Sequence, residues 1–207
     1  MHRPLTGTVL SSLALLGRST GPLSVMQPTW LADEISNLDA SLGNFGHITY
    51  GQTILGKVVY PDLENQDGCA PISLSQFTSH EFQDTSYEKS VKFPVFVLVD
   101  RGNCPNPQKV RNVEAFGGAV ALIADYVGED EQALVMNDYG GAGHSLVTPG
   151  FMVDQKSGET LKKAVAGGES VVMRAALTIS KPDNQIEIGL LYSSSLDLDA
   201  TSLKSFT

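Results

Sequence analysis

The residues best suited to chemistry stand in Asp100-Arg101-Gly102-Asn103-Cys104, directly after the apolar run 97–99. The other cysteine, Cys69, precedes that run and follows Asp67-Gly68. Because both cysteines stand beside turn residues, the pattern favours a disulfide that pins a turn at the rim of a sheet. Two unrelated buried thiols are the alternative. A turn held in this way would present its residues to a partner outside the fold.

No other set of residues has the spacing of a reaction centre. His47, His80 and His144 are far apart in sequence and lie among turn residues, which indicates surface histidines rather than zinc ligands. Cys104 beside a histidine could imitate a thiol nucleophile, but a second cysteine in a turn favours a bridge. The glycines at 140–143 lack the Lys-Ser/Thr of a phosphate-binding loop. The sequence therefore predicts no enzyme activity, no metal site and no cofactor.

Composition and charge limit the partners of this chain. Its 207 residues, 42% hydrophobic and 18% charged, suit one soluble domain with tails. The formal net charge of -9 repels phosphate backbones and anionic lipids, so nucleic acid and acidic membrane surfaces are disfavoured as partners. Basic or neutral peptides fit this charge better.

The N-terminus has part of the pattern of a secretory signal. His2 and Arg3 precede the short apolar stretch 9–16, but Arg18 interrupts the small residues that a cleavage site requires. An unstructured leader is the alternative. No later stretch has the run of about eighteen apolar residues that a membrane-spanning helix needs. Together with a disulfide, these features predict a chain that matures in the secretory or endomembrane lumen, or outside the cell.

Apolar runs and turn residues predict a mixed α/β domain. The predicted strands cover residues 53–60, 93–100, 119–125, 150–154, 171–179 and 185–192. Asn106-Pro107 opens a helix that stops at Gly117-Gly118, and the same order of strand, helix, double glycine and strand recurs at 150–179. Such repeated units favour helices packed against a sheet. Residues 1–41 are predicted as leader and connecting segment, and 193–207 as a polar tail.

Several consecutive motifs resemble one known family. They are Leu42-Gly43-Asn44-Phe45-Gly46, Leu55-Gly56-Lys57-Val58-Val59-Tyr60-Pro61, Asp67-Gly68-Cys69, Val99-Asp100-Arg101-Gly102-Asn103-Cys104, Ala121-Leu122-Ile123-Ala124-Asp125 and Gly158-Glu159-Thr160-Leu161-Lys162-Lys163-Ala164. In this order they resemble the protease-associated (PA) domain, and most of all the lumenal N-terminal domain of plant-type vacuolar sorting receptors. The resemblance covers residues 42–192, which we predict to be the domain. It implies a β-rich α/β fold, a β-sandwich or open barrel flanked by short helices, with no catalytic activity of its own.

The resemblance also implies a binding site. In sorting receptors of this kind, an Arg-Gly-x-Cys turn helps to recognise the propeptide sorting signals of soluble vacuolar cargo. The matching residues here are Arg101, Gly102, Asn103 and Cys104, with Cys69 as the implied disulfide partner. A non-catalytic module that binds a soluble cargo protein or propeptide in the secretory or vacuolar lumen is thus expected. The alternative is an accessory domain, a lid or spacer, of a peptidase whose catalytic part is outside this chain.

Two features complicate that site. Family members usually place aromatic residues just after the turn cysteine, whereas this chain has Pro105-Asn106-Pro107, which removes an apolar contact and stiffens the loop. Arg101 has a second interpretation, in which it pairs with Asp100 or with a neighbouring carboxylate at the strand end. The sequence leaves both interpretations of Arg101 open.

Overall fold

A mixed seven-stranded sheet organises the chain. The computed structural model describes residues 22–36, 38, 40–77, 94–126, 136, 138 and 140–177. Its strands are β1 (Leu23–Gln27), β2 (Ala40–Leu42), β3 (Thr53–Val59), β4 (Val95–Asp100), β5 (Val120–Ala124), β6 (Gly150–Val153) and β7 (Val172–Ala176). Its helices are α1 (Thr29–Glu34), α2 (Asn106–Phe116) and α3 (Gln155–Ala166), with a short 3-10 helix at Leu74–Gln76. A dominant sheet with short helices confirms the predicted β-rich α/β fold class.

Parallel strands form the centre of the sheet. The spatial order is β1-β7-β3-β4-β5-β6-β2. The neighbours from β3 to β6 pair in parallel, whereas β1, β7 and β2 each pair antiparallel with their neighbours. The carboxyl ends of β4, β5 and β6 therefore meet at one edge, which we call the carboxyl edge. Asp100, Asp125 and Asp154 stand at these three strand ends.

The central strands are buried on both faces, which explains why their sequences are continuous apolar runs. Residues 96–99 of β4 are completely inaccessible to solvent. Alternate residues enter two separate clusters: Leu98 packs with Leu161 of α3, and Val97 packs with Val110 of α2. Helices α2 and α3 thus cover opposite faces of the sheet, and β4 is the middle strand of the seven.

Capping residues and glycines set the ends of the helices. Gly117 follows α2 with a φ of 93°, a left-handed conformation in which glycine lacks the steric cost of a side chain. Asp154 begins α3, because its Oδ1 accepts a hydrogen bond from the amide of Ser157 at 2.9 Å. Gly167 and Gly168 follow the end of α3. Within the described ranges, no helix is long and apolar enough to cross a membrane.

Residues 22–36 contribute more to the fold than the sequence indicates. β1 pairs with β7 and buries Leu23 and Val25, while α1 buries Leu31 in the same apolar cluster. The sequence assigns this stretch to a leader and connecting segment, because a strand of 5 residues and a helix of 6 are too short to show periodicity. The predicted leader before residue 22, the strand at 185–192 and the tail at 193–207 lie outside the described residues.

Gly56 of β3 provides a test of this packing. A β-carbon at this position would lie 2.2 Å from Cε1 of Phe96 and 2.8 Å from the carbonyl oxygen of Pro94. We expect Gly56→Ala to lower the free energy of unfolding by about 1 to 3 kcal/mol, the usual cost of overpacking a core. Gly140→Ala is the control, since its β-carbon would contact none of the residues with described positions. Urea unfolding measures both variants, and equal midpoints would contradict the packing.

Candidate functional site

The two cysteines form a disulfide near the carboxyl edge. The sulfur atoms of Cys69 and Cys104 are 2.06 Å apart, and their α-carbons are 5.8 Å apart. The bond joins two turns, residues 67–69 after β3 and residues 101–104 after β4. We call these two linked turns the corner, and name them the first and the second turn. The structure therefore confirms the predicted bridge over the alternative of two separate thiols.

The second turn reverses tightly at Asn103. Asn103 has a φ of 64° and Gly102 has a φ of 101°, so both residues occupy the left-handed region. The amide of Cys104 donates to the carbonyl oxygen of Gly102 at 2.8 Å, which closes a three-residue γ-turn. A β-carbon on Gly102 would meet no atom of the described residues within 4 Å. Open space therefore lies beside the Gly102 backbone, in a conformation that glycine adopts most easily.

Asp67 ties the first turn to the second. Its Oδ2 accepts a hydrogen bond from Nδ2 of Asn103 at 2.8 Å, and its Oδ1 accepts from the amide of Cys69 at 3.1 Å. Because both bonds stabilise the charged carboxylate, they hold the pKa of Asp67 below its ordinary value. The Asn103 side chain is thus engaged inside the corner, although the residue as a whole is exposed.

Helix α2 begins directly after the corner and fastens the first turn. Nε2 of Gln108 donates to the carbonyl oxygen of Cys69 at 2.9 Å, and Nδ2 of Asn112 donates to the carbonyl oxygen of Gly68 at 2.8 Å. Residues four positions apart lie on the same face of a helix, so both side chains reach the same turn. The backbone carbonyls of the first turn are therefore occupied by the helix.

Lys109, on the same helix, reaches both turns. Its side chain is completely buried, and its Nζ lies 2.5 Å from the carbonyl oxygen of Asp67, 2.6 Å from that of Gly102 and 3.3 Å from Sγ of Cys69. An ammonium group has three hydrogens, and here each has an acceptor. Burial lowers the pKa of Lys109, and the negative charges of Asp67 and Asp100 partly offset this effect.

Arg101 lies at the start of the second turn with its charge already paired. Its Nη1 is 2.8 Å from Oδ1 of Asp125, and its Cζ lies 5.3 Å from the ring centre of Tyr126. The side chain keeps 23% of its surface exposed. The pairing with a neighbouring carboxylate, one of the two interpretations of Arg101, is thus present, and the carboxylate is that of Asp125. Tyr126 is 49% exposed, so an aromatic surface stands beside Arg101 although none follows the turn cysteine.

Asp100 makes a separate set of contacts at the end of β4. The hydroxyl of Tyr60 donates to its Oδ2 at 3.0 Å, and Nζ of Lys162 lies 3.0 Å from its Oδ1 while also pairing with Glu159. Burial and then the charge of Asp100 raise the pKa of Tyr60 well above its ordinary value. Burial opposes the ammonium form of Lys162, but its bonds to Glu159 and Asp100 outweigh that and raise its pKa. Asp100 therefore links β4 to α3.

Sequence reasoning missed two residues of this region. Lys109 carried one signal, since it stands four positions before Val113 on the buried face of α2, where a lysine needs an internal partner. Tyr126 had no recognisable signal in the sequence, because its place beside Arg101 depends on the pairing of β4 with β5. Both residues act through contacts between segments far apart in sequence.

The remaining sequence candidates lie in other segments. His47 and His144 are exposed, and His80 lies outside the described residues. Among the residues with described positions, no group of three or more His, Cys, Asp or Glu could hold a metal ion. The glycines at 140–143 belong to a loop that Arg111 of α2 holds, through hydrogen bonds to the oxygen of Ala142 and to Oγ of Ser145.

The contribution of the disulfide to stability can be measured directly. It closes a loop with a sequence separation of 35, and we expect the double variant Cys69→Ser, Cys104→Ser to lose about 3 to 4 kcal/mol of unfolding free energy in the chain-entropy description. Urea unfolding of the oxidised protein and of the variant provides the comparison. Mass spectrometry of the oxidised protein without reductant is the control, and two free thiols there would contradict the bridge.

Comparison with known proteins identifies the family of this sequence. The profile of the PA domain matches residues 54–161. Vacuolar-sorting receptor 3 of Arabidopsis thaliana is 34% identical over 160 residues, which cover 73% of this chain and 24% of the receptor. Vacuolar-sorting receptor 1 of Pisum sativum is 29% identical over 160 residues, which again cover 73% of this chain and 24% of the receptor. The chain thus spans about a quarter of the length of the curated relatives it matches.

A zinc aminopeptidase from Bacillus subtilis is among the solved structures that partly resemble this chain. The two chains superpose with a TM-score of 0.47 and 16% sequence identity, over 74% of this chain and 29% of the aminopeptidase. The family assignment rests on the sequence matches, because the PA profile covers more than half of the chain and the receptor match covers almost three quarters. The chain belongs to the protease-associated (PA) domain family.

Proposed function

We propose that this chain is a non-catalytic module that binds extended segments of soluble proteins, sorting signals in propeptides among them, through the second turn of the corner. Its place of action is the lumen of the secretory or vacuolar pathway, or the extracellular space. The disulfide supports this location, because such bonds persist in oxidising compartments. The relation to vacuolar-sorting receptors supports the class of ligand.

One observation carries the proposal: the backbone at Gly102 and Asn103 is open and has unused donors. The amides of these two residues donate to no acceptor within the described part of the chain. Among the described residues, no atom lies within 4 Å of a β-carbon built on Gly102, so another backbone can approach closely. An extended peptide offers carbonyl groups to such amides, which is a common basis of peptide recognition. The second turn is therefore suited to bind main chain.

The neighbouring side chains favour binding over chemistry. Cys69 and Cys104 are bonded to each other, so neither thiol can act as a nucleophile while the bridge is intact. Arg101 and Tyr126 together present a cation and an aromatic ring beside the turn. The net charge of -9 favours basic or neutral ligands over acidic ones. The alternative function, an accessory domain of a peptidase, stays a prediction.

Gly102→Ala tests the open space at the turn. A methyl group at this position would project into the region through which a ligand backbone approaches, so we expect the affinity for bound peptides to fall about tenfold or more, a loss of about 1.4 kcal/mol or more. Isothermal titration against acetylated and amidated propeptides of soluble vacuolar proteins measures this change.

Gly117→Ala is the matched control for backbone strain. Gly117 has a φ of 93°, close to the 101° of Gly102, and its β-carbon would also lie more than 4 Å from every other part of the chain that the structure describes. Both variants should therefore lose a similar stability, about 1 kcal/mol, while only Gly102→Ala loses affinity. Equal affinities in the two variants would exclude the Gly102 surface from the binding site.

Arg101→Ala tests the side chain beside the turn. The arginine can donate hydrogen bonds to a peptide carbonyl or carboxylate, so we expect its loss to weaken propeptide binding about tenfold. Loss of a partly exposed ion pair should cost only about 0 to 1 kcal/mol of stability. Arg174→Ala is the control, since Arg174 is also partly buried and bonds to Oγ of Ser24 in the antiparallel part of the sheet. If Arg101→Ala binds as tightly as this control, the Arg101 side chain takes no part in binding.

A further inference from the structure

We propose that Lys109 positions the corner for its ligand by aiming the amide of Asn103 at a main-chain carbonyl of the bound peptide. The inference rests on the peptide-binding function proposed above and names the chemical group that the second turn takes. Lys109 touches no ligand itself, because its side chain is completely buried. It is a positioning residue that acts through one peptide unit.

The geometry of that peptide unit carries the inference. The carbonyl of Gly102 and the amide of Asn103 share one trans unit, since the only cis bond among the described residues precedes Pro28. In a trans unit the C=O and N–H bonds point in opposite directions. The Gly102 oxygen accepts from Nζ of Lys109 at 2.6 Å and from the amide of Cys104 at 2.8 Å, both inside the corner. The N–H of Asn103 therefore points away from the interior.

The disulfide alone does not fix this orientation. It joins Cys69 to Cys104 through their side chains, and the Gly102–Asn103 unit could rotate without moving either sulfur atom. Such a rotation would withdraw an acceptor from the ammonium of Lys109 in a site closed to water, which is strongly unfavourable for a buried charge. Lys109 therefore holds the peptide unit in the orientation that the structure has.

The charge of Lys109 also affects the ligand group. A cation at the carbonyl oxygen polarises the peptide unit and makes its N–H a stronger hydrogen-bond donor. The ligand atom is therefore an acceptor. A neutral carbonyl fits better than a carboxylate, because the Asp67 carboxylate bonds to the Asn103 side chain and the whole chain is acidic. A main-chain carbonyl of an extended segment meets both conditions.

The first experiment compares wild type with Lys109→Met, which keeps the length of the side chain and removes its charge. The probe is the tightest-binding acetylated and amidated propeptide from the panel above. We expect about tenfold weaker binding in Lys109→Met. Carbon-detected NMR that correlates the Gly102 carbonyl carbon with the Asn103 nitrogen reports on the same peptide unit, and we expect this resonance to move in the variant.

Asn112→Leu is the matched control. Asn112 lies on the same helix and bonds to the same corner, but through Gly68 rather than through the Gly102–Asn103 unit. A general weakening of the corner would affect both variants, whereas loss of the aimed amide affects only Lys109→Met. We expect Asn112→Leu to retain the wild-type affinity and the wild-type Gly102–Asn103 resonance.

A thioamide scan of the probe peptide identifies the ligand group. Sulfur in place of one main-chain carbonyl oxygen gives a weaker acceptor, so we expect one position to lose about tenfold in affinity for wild type and almost nothing for Lys109→Met. If no position behaves in this way, the assignment to a main-chain carbonyl is wrong. Tighter binding of the same peptide with a free C-terminal carboxylate would assign the site to a carboxylate instead.

The protonation of Lys109 gives a readout that needs no substitution. The charged groups that face it are Asp67 in the first turn and Asp100 at the end of β4, while its helix neighbours Gln108 and Asn112 are neutral. Burial lowers the pKa, so the charge is lost at a lower pH than for an ordinary lysine. As the pH rises through the pKa of Lys109, we expect the affinity to fall and the Gly102–Asn103 resonance to move together with it. The probe for this titration is a peptide that lacks titratable side chains.

The outcomes separate this inference from the proposed function. If wild type binds the probe and Lys109→Met binds it equally, with an unchanged Gly102–Asn103 resonance, Lys109 has no positioning role and the binding function stands. If no peptide of the panel binds wild type, the binding function fails and the inference fails with it. If Lys109→Met does not fold, the wild-type pH profile decides, and a flat profile overturns the inference.

Discussion

The corner depends on one ammonium group that is shut off from water. Removing a charge from water is costly, and Lys109 is tolerated because each of its three hydrogens has an acceptor. Two of these acceptors are carbonyls of turns that are far apart in the chain, Asp67 and Gly102. The charge therefore draws the two turns together, and the disulfide makes their approach covalent. Neither link replaces the other, since the disulfide joins the side chains of the two turns and the Lys109 ammonium joins their backbone carbonyls.

The central fold could be predicted because its signals are local. Strands β4 and β5 are continuous apolar runs, since both of their faces are covered, and Gly117 ends α2 where the double glycine indicates. The start of the fold could not be predicted in the same way. β1 and α1 are short, and they belong to the structure through pairing with β7 and burial of Leu31, which are long-range effects.

In the candidate site, too, features with local sequence signals could be predicted, whereas features that depend on long-range contacts could not. The disulfide between Cys69 and Cys104 could be predicted from turn residues beside each cysteine, and the PA resemblance implied which turn matters. The partners of Arg101 could not, because Asp125 reaches it only through the parallel pairing of β4 with β5. No local sequence signal indicates which hydrogen-bond acceptors Lys109 of α2 contacts. The contacts of side chains that join separate elements cannot be predicted from sequence patterns alone.

The crosslinked corner has a thermodynamic consequence for recognition. Its backbone is fixed by the disulfide, by Lys109 and by α2, so little freedom remains for it to lose when a guest arrives. The entropic cost of association falls almost wholly on the incoming segment. Peptide ligands that are already extended in solution, such as those stiffened by proline, lose the least conformational entropy on binding. Under the proposed binding function, discrimination among ligands would therefore depend as much on their stiffness in solution as on the groups they carry.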